Sequence, residues 1–244
     1  MEARPDRAEH EKAYLKSSLE HYGCSVGAVR SAVEVLARHH PDPTHDEVVA
    51  LVEGLWSQPV HERRRAAVEV LDKHAALLGA DDVPLLERLL RQSRTWALVD
   101  GLAASVVGKV VERDRAMGAV LDRWAADDDF WIRRSALLAL LVPLRKGGGD
   151  FGRFSRYADA MLDEREFFIG KAIGWVLRDT ARKRPEMVYE WLLPRAARAS
   201  ALTVREAVKP LSEDQRKAVL EAAGRGPARR AAGSRAARRG ESPA

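Results

Sequence analysis

Residues Arg65–Leu71 read RAAVEVL, and the same frame recurs along the chain. RSAVEVL starts at Arg30, DGLAASV at Asp100, RSALLAL at Arg134, KAIGWVL at Lys171 and REAVKPL at Arg205. The six starts are separated by 35, 35, 34, 37 and 34 residues. Each window opens on a polar residue and places apolar residues two, three and six positions later, as in Ala32, Val33 and Leu36. On a helix those positions form one buried stripe, with the opening residue facing outward. A period near 35 residues leaves room for two helices per unit. The frame therefore predicts an all-α fold, an α–α superhelix (solenoid) of about six HEAT-like repeats, each burying its apolar face against its neighbours.

Outward from the windows, amphipathic runs of about 10 to 18 residues alternate with breakers such as HHPDPTHDE, LGADDVP, RKGGGD and KRPE, and strand patterns are nearly absent. An apolar fraction of 46% in 244 residues is ample for a core. No run reaches the roughly 18 apolar residues of a membrane span, and the opening MEARPDRAEHEKAY is too polar for an export signal. The expectation is a cytoplasmic, monomeric protein with no membrane partner. Residues 1–10 read as a flexible lead-in, 11–222 as the repeat domain, and 223–244 as a disordered tail rich in Arg, Ala and Gly.

Several chemistries are excluded by what is missing. The single Cys24 allows no intramolecular disulfide and no cysteine-based zinc site, and it reads as packing. His39, His40, His45 and His61 lack an HExxH pattern and read as surface or capping residues, so no metal is expected. GKAIGW and KGGGD contain glycines without the GxxxxGK[ST] phosphate loop, so no nucleotide cofactor is expected.

The net charge of +5 is carried by the tail, where six arginines face one glutamate; the rest of the chain holds 35 basic and 35 acidic residues. Any grip on a polyanion by the body must come from clustering. The window starts supply a candidate cluster: Arg30, Arg65, Arg134, Lys171 and Arg205 should line one surface of stacked repeats as a basic groove, interrupted by Asp100. Trp96 lies one helical turn before Asp100 and shares its face. Trp175 occupies a window position held elsewhere by Glu34, Glu69, Ala104, Leu138 and Lys209, which points to exposure; Trp56, Trp124, Trp131 and Trp191 read as core or capping. One carboxylate, two aromatic faces and a cationic row suit a cationic substrate attached to a phosphate backbone, since aromatic faces attract cations and a carboxylate stabilises developing positive charge.

SRTWALVDGLA (93–103), DDDFWIRRSALLALL (127–141) and EREFFIGKAIGWVLRDTARKRPEMV (164–188), with YLKSSLEHYG (14–23) and GLWSQPVHERRRAAVEVLDKH (54–74) upstream, resemble the AlkD-like bacterial DNA alkylation repair glycosylases. The resemblance covers roughly Tyr14 to Leu211. It implies a cofactor-independent N-glycosylase that releases N3- and N7-alkylated purines from double-stranded DNA. By that resemblance Asp100 is the catalytic carboxylate, with Trp96 and Trp175 flanking the deoxyribose. By the same resemblance Arg134 and Tyr14 lie beside the lesion backbone; the remaining cations of the row, Lys171, Arg65, Arg205 and Arg30, together with Arg178, are expected to contact DNA. One departure is visible: relatives often carry two adjacent tryptophans before the aspartate, and Thr95 replaces the first here. Two other readings share the fold: a non-catalytic binder of damaged or branched DNA, and a protein-interaction scaffold.

Overall fold

Capping residues set the helix starts. In the computed structural model, which describes residues 4–224, α1 (Pro5–Leu15) opens on a proline, whose missing N–H costs nothing there. Ser25 accepts from the Ala28 N–H to cap α2 (Val26–His39), and Thr44 with Glu47 forms the capping box of α3 (His45–Trp56). Then come α4 (His61–Lys73), α5 (Val83–Ser93), a continuous helix α6 over residues 96–113, α7 (Met117–Trp124) and α8 (Phe130–Leu138), capped by Asp129 through the Trp131 N–H at 2.8 Å. The short α9 (Leu141–Arg145) contains the boundary between two compact units, residues 1–142 and 143–244. The second unit continues with α10 (Phe151–Met161), α11 (Phe167–Ala181), α12 (Pro185–Leu192), α13 (Ala201–Ala207) and α14 (Glu213–Ala222).

The described residues contain no strand, only an isolated bridge between Glu20 and Val60. None of their helices is long and apolar enough to cross a membrane. The chain is thus all-α, of the α–α superhelical class that its repeat frame predicts.

Within each unit the windows stack in order. In the first unit α2 packs on α4, α4 on the middle of α6, and that segment on α8; in the second, α11 packs on α13. Residues two, three and six after the window start are buried from the second window onward: Ala67, Val68 and Leu71; Leu102, Ala103 and Val106; Ala136, Leu137 and Leu140. The same holds for Ile173, Gly174 and Leu177, and for Ala207, Val208 and Leu211. The first window departs from this rule. Val33 is buried but Ala32 and Leu36 are exposed, because no earlier window helix lies against α2. End repeats of such arrays lack one neighbour.

Side-chain pairs report the same period. Lys73 reaches Glu34 at 2.8 Å, Arg91 reaches Asp127 at 2.6 Å and Lys109 reaches Asp72 at 2.6 Å. In the second unit Arg195 reaches Asp159 and Arg198 reaches Asp163, each at 2.6 Å. The partners are 35 to 39 residues apart in every case. Exposed pairs of this kind contribute only about 0–1 kcal/mol each, so their message is register: within each unit they tie one repeat to another.

Two sequence expectations change. Residues 5–10, read as lead-in, already belong to α1. His61, read as a surface or capping residue, is buried against a stacked His21 ring. The tail assigned to 223–244 falls outside the described residues from 225 on. Trp56, Trp124, Trp131 and Trp191 are buried as expected.

Candidate active site

Two glycines shape the helix that carries Asp100. A methyl group at Gly101 would stand 2.9 Å from Val68 Cγ1, and one at Gly108 would stand 3.1 Å from the Ala139 carbonyl oxygen. Their hydrogens let α4 close on one end of this stretch and the chain after α8 close on the other. Between them the backbone winds as a π-helix, Gly101–Val107, a rare widened form found frequently at functional sites. Asp100 is the last α-helical residue before the widening. Trp96, one turn earlier, is half-buried on the same face.

Asp100 is held by a guanidinium inside the protein. Arg134 Nε donates to Oδ1 and Nη2 to Oδ2, both at 2.8 Å, the parallel fork that fits a carboxylate. The Arg134 side chain is 1% exposed and that of Asp100 17%. The positive member therefore sits inside and the negative member at the surface. This corrects the expectation that Arg134 faces outward as a DNA-backbone contact: its charge is spent on orienting Asp100. An ionised carboxylate offers about four lone-pair directions, and the fork uses two. Tyr14, 68% exposed, stands edge-on to Trp96 with ring centroids 6.0 Å apart. Tyr14, Trp96, Asp100 and Arg134 thus form one cluster in the first unit.

The other expected cations of this unit are also paired. Arg65 donates to Glu69 through Nε at 2.9 Å and to the Ala97 carbonyl through Nη1 at 3.1 Å, tying α4 to the first turn of α6. Arg30 donates to the same Glu69 at 3.1 Å and is more than half exposed. Within the first unit the expected open basic row is instead a set of guanidinium–carboxylate pairs. The reason lies in the window itself, whose fifth residue is Glu69 in RAAVEVL. Thr95, in place of the first of the two adjacent tryptophans, is buried, and its hydroxyl has no hydrogen-bond partner.

The second unit presents the opposite polarity. Asp179 is buried and accepts from the Trp175 indole N–H at 3.2 Å, Arg145 Nε at 2.8 Å and Arg178 Nε at 3.3 Å. Arg178 also reaches Glu206, whose carboxyl Lys209 and Arg178 together hold below the usual carboxylate range. Trp175 is half-buried where its window position pointed to exposure, because its indole N–H turns in to Asp179, while Lys171 and Arg205 are exposed. Lys171 Nζ lies 5.8 Å from the centre of the exposed Phe167 ring. The glycines of GKAIGW find their reason here. A methyl group at Gly174 would stand 3.0 Å from Glu206 Cβ, so α11 and α13 approach closely.

Asp179 and Arg145 were missed in the sequence. The available signal was the period: Arg145 and Asp179 are 34 residues apart, as are Asp100 and Arg134.

With this geometry in place, comparison with known proteins is informative. The model of a family described as DNA alkylation repair enzyme matches residues 1–211. A solved structure described as a predicted DNA alkylation repair enzyme from Enterococcus faecalis superposes with a TM-score of 0.74 at 22% identity, covering 87% of this chain and 98% of that one. At that identity the likeness shows the fold. No curated protein sequence matches.

Proposed function

Because this chain belongs to the DNA alkylation repair enzyme family, we propose that it is a DNA N-glycosylase. It hydrolyses the bond between deoxyribose and a cationic N3- or N7-alkylated purine in duplex DNA. The observation that carries this reading is the Arg134 fork, which holds Asp100 in one orientation with part of its carboxylate exposed beside Trp96.

Alkylation at N3 or N7 gives the purine a positive charge, so it departs without the general acid that ordinary glycosidases need. The C1′–N9 bond breaks, its electron pair neutralises the departing base, and positive charge moves to the sugar as an oxocarbenium-like ion. Asp100 stabilises that ion electrostatically and orients the water whose oxygen bonds to C1′. The water's proton passes to solvent, and the products are a free base and an abasic site. No metal or redox step is needed for this balance.

Trp96, with Tyr14 edge-on to it, supplies an aromatic surface of the kind that attracts cations. Trp175 supplies a second one, oriented by Asp179. Arg134 orients Asp100, and Arg65 holds the α6 turn that bears Trp96. Contacts with DNA phosphates are assigned to the exposed Arg30 in the first unit and to the exposed Lys171 and Arg205 in the second, with Arg178 on the same helix as Lys171.

The test is release of 7-methylguanine from a duplex carrying one such base, measured against spontaneous loss. Wild-type protein should accelerate release, whereas a duplex bearing a neutral lesion such as uracil should give none. If the protein binds the duplex but adds nothing to the spontaneous rate, the non-catalytic DNA-binding alternative replaces this proposal.

A further inference from the structure

A second polar cluster lies in the first unit and plays no part in the chemistry above. His21, on the segment between α1 and α2, is 9% exposed, and neither of its ring nitrogens has a hydrogen-bond partner. An imidazole always carries at least one N–H or one lone pair per nitrogen, and leaving either buried without a partner costs about 1–3 kcal/mol. Its ring stacks on His61 with centroids 4.6 Å apart and planes 6° from parallel; His61 Nδ1 is also buried without a partner. Burial and the neighbouring His21 push the His61 imidazole down to about 4.

Two carboxylates face this orphaned ring. One atom each from Glu11, His21 and Glu62 lie within 4.8 Å of one another. Glu62 is buried and accepts from the backbone N–H groups of Tyr22 at 3.0 Å, Gly23 at 2.7 Å and Cys24 at 3.1 Å. Both bonds from Arg7 to Glu11 fall on Oε1, at 2.8 and 2.6 Å. Two carboxylates so close repel each other; the Arg7 guanidinium on Glu11 and the backbone donors on Glu62 offset part of this, and the ring nitrogens of His21 stay without a partner. A cation would relieve the repulsion and give His21 a partner at the same time.

From this geometry we infer that Glu11, His21 and Glu62 form a binding site for a divalent transition-metal ion, with Zn²⁺ as the best match. One nitrogen and two carboxylate oxygens with a fourth position for water suit Zn²⁺. A nitrogen ligand disfavours Mg²⁺ and Ca²⁺, which take oxygen. Ligand atoms around Zn²⁺ stand about 3.3 Å apart, so contraction by up to about 1.5 Å, through rotation of the less buried Glu11 side chain, completes the shell. The ion would fasten α1 to α4. Tyr14 lies three residues after Glu11 on α1, so the ion would also steady its place against Trp96. The site itself does not rest on the chemistry assigned to Asp100.

The experiment is titration of untagged, full-length, chelator-treated protein with Zn²⁺ by calorimetry. Co²⁺ absorption serves as the coordination probe, and Tm is recorded with and without Zn²⁺. One equivalent should bind, Mg²⁺ should not compete, and Tm should rise. Co²⁺ should show ligand-field bands without thiolate charge-transfer absorption. His21→Gln and Glu11→Gln, which leave the Glu62 backbone clamp in place, should each weaken binding about tenfold or more and remove the Tm rise. A His39→Gln, His40→Gln double variant should bind as wild type does. The inference is overturned by absence of saturable binding, by a thiolate band implicating Cys24, or by binding that survives both single variants or is lost in the double one.

Discussion

The two units carry the same ion pair with its polarity reversed. In the first, Arg134 is inside and Asp100 reaches the surface. In the second, Asp179 is 4% exposed inside and Arg145 is 43% exposed outside. Both pairs join residues 34 apart on neighbouring repeats, so the architecture is common and only the buried partner differs. That choice decides what each unit offers a ligand. Burying the guanidinium presents a fixed negative charge, suited to a sugar that becomes cationic. Burying the carboxylate presents an indole and cations, suited to stacking and to phosphate.

The largest expected effect concerns stability. Arg134→Ala leaves the half-buried Asp100 without its fork and opens a polar hole, and should lower the unfolding free energy by about 3–5 kcal/mol. Arg145→Ala should cost about 1 kcal/mol or less, since its guanidinium is well solvated and Trp175 and Arg178 still donate to Asp179. Urea unfolding of the two variants checks this. Equal losses would break the comparison.

Next in size is the effect on Trp175. Asp179→Asn replaces a charged acceptor of the indole N–H by a neutral one. It should weaken binding to the alkylated duplex about tenfold, the size of one charge-assisted hydrogen bond. Fluorescence anisotropy measures it. An unchanged affinity would remove Asp179 from its positioning role.

Salt dependence sharpens the assignment of the cations. Lys171→Ala and Arg205→Ala should each reduce the slope of log affinity against log salt by about one, whereas Arg134→Lys should leave it unchanged. A slope that falls with Arg134→Lys would return that residue to the DNA backbone. The smallest effect belongs to Thr95, whose buried hydroxyl lacks a partner: Thr95→Val should raise stability by up to about 1 kcal/mol, read as a higher urea midpoint.

The stacked helices were legible because small and aliphatic residues recur at fixed positions, and burial follows them in every window after the first. Arg134 was not, since an arginine at an outward position reads as surface until its carboxylate partner one repeat away is known. The period held that information, but Asp100 stood out as an exception to a basic row rather than as half of a pair. The π-helix after Asp100 has no composition of its own; its trace is the pair Gly101 and Gly108, where neighbouring helices approach closely. His61 misled for a related reason: its environment comes from His21, forty residues earlier in the chain.

The most direct test sets the two carboxylates side by side in single-turnover release of 7-methylguanine, at saturating enzyme and with duplex affinity measured in parallel. Asp100→Asn should lower the rate about 100-fold or more with affinity retained, while Asp179→Asn should act mainly on affinity. A rate untouched by Asp100→Asn, or reduced equally by both substitutions, would contradict the account.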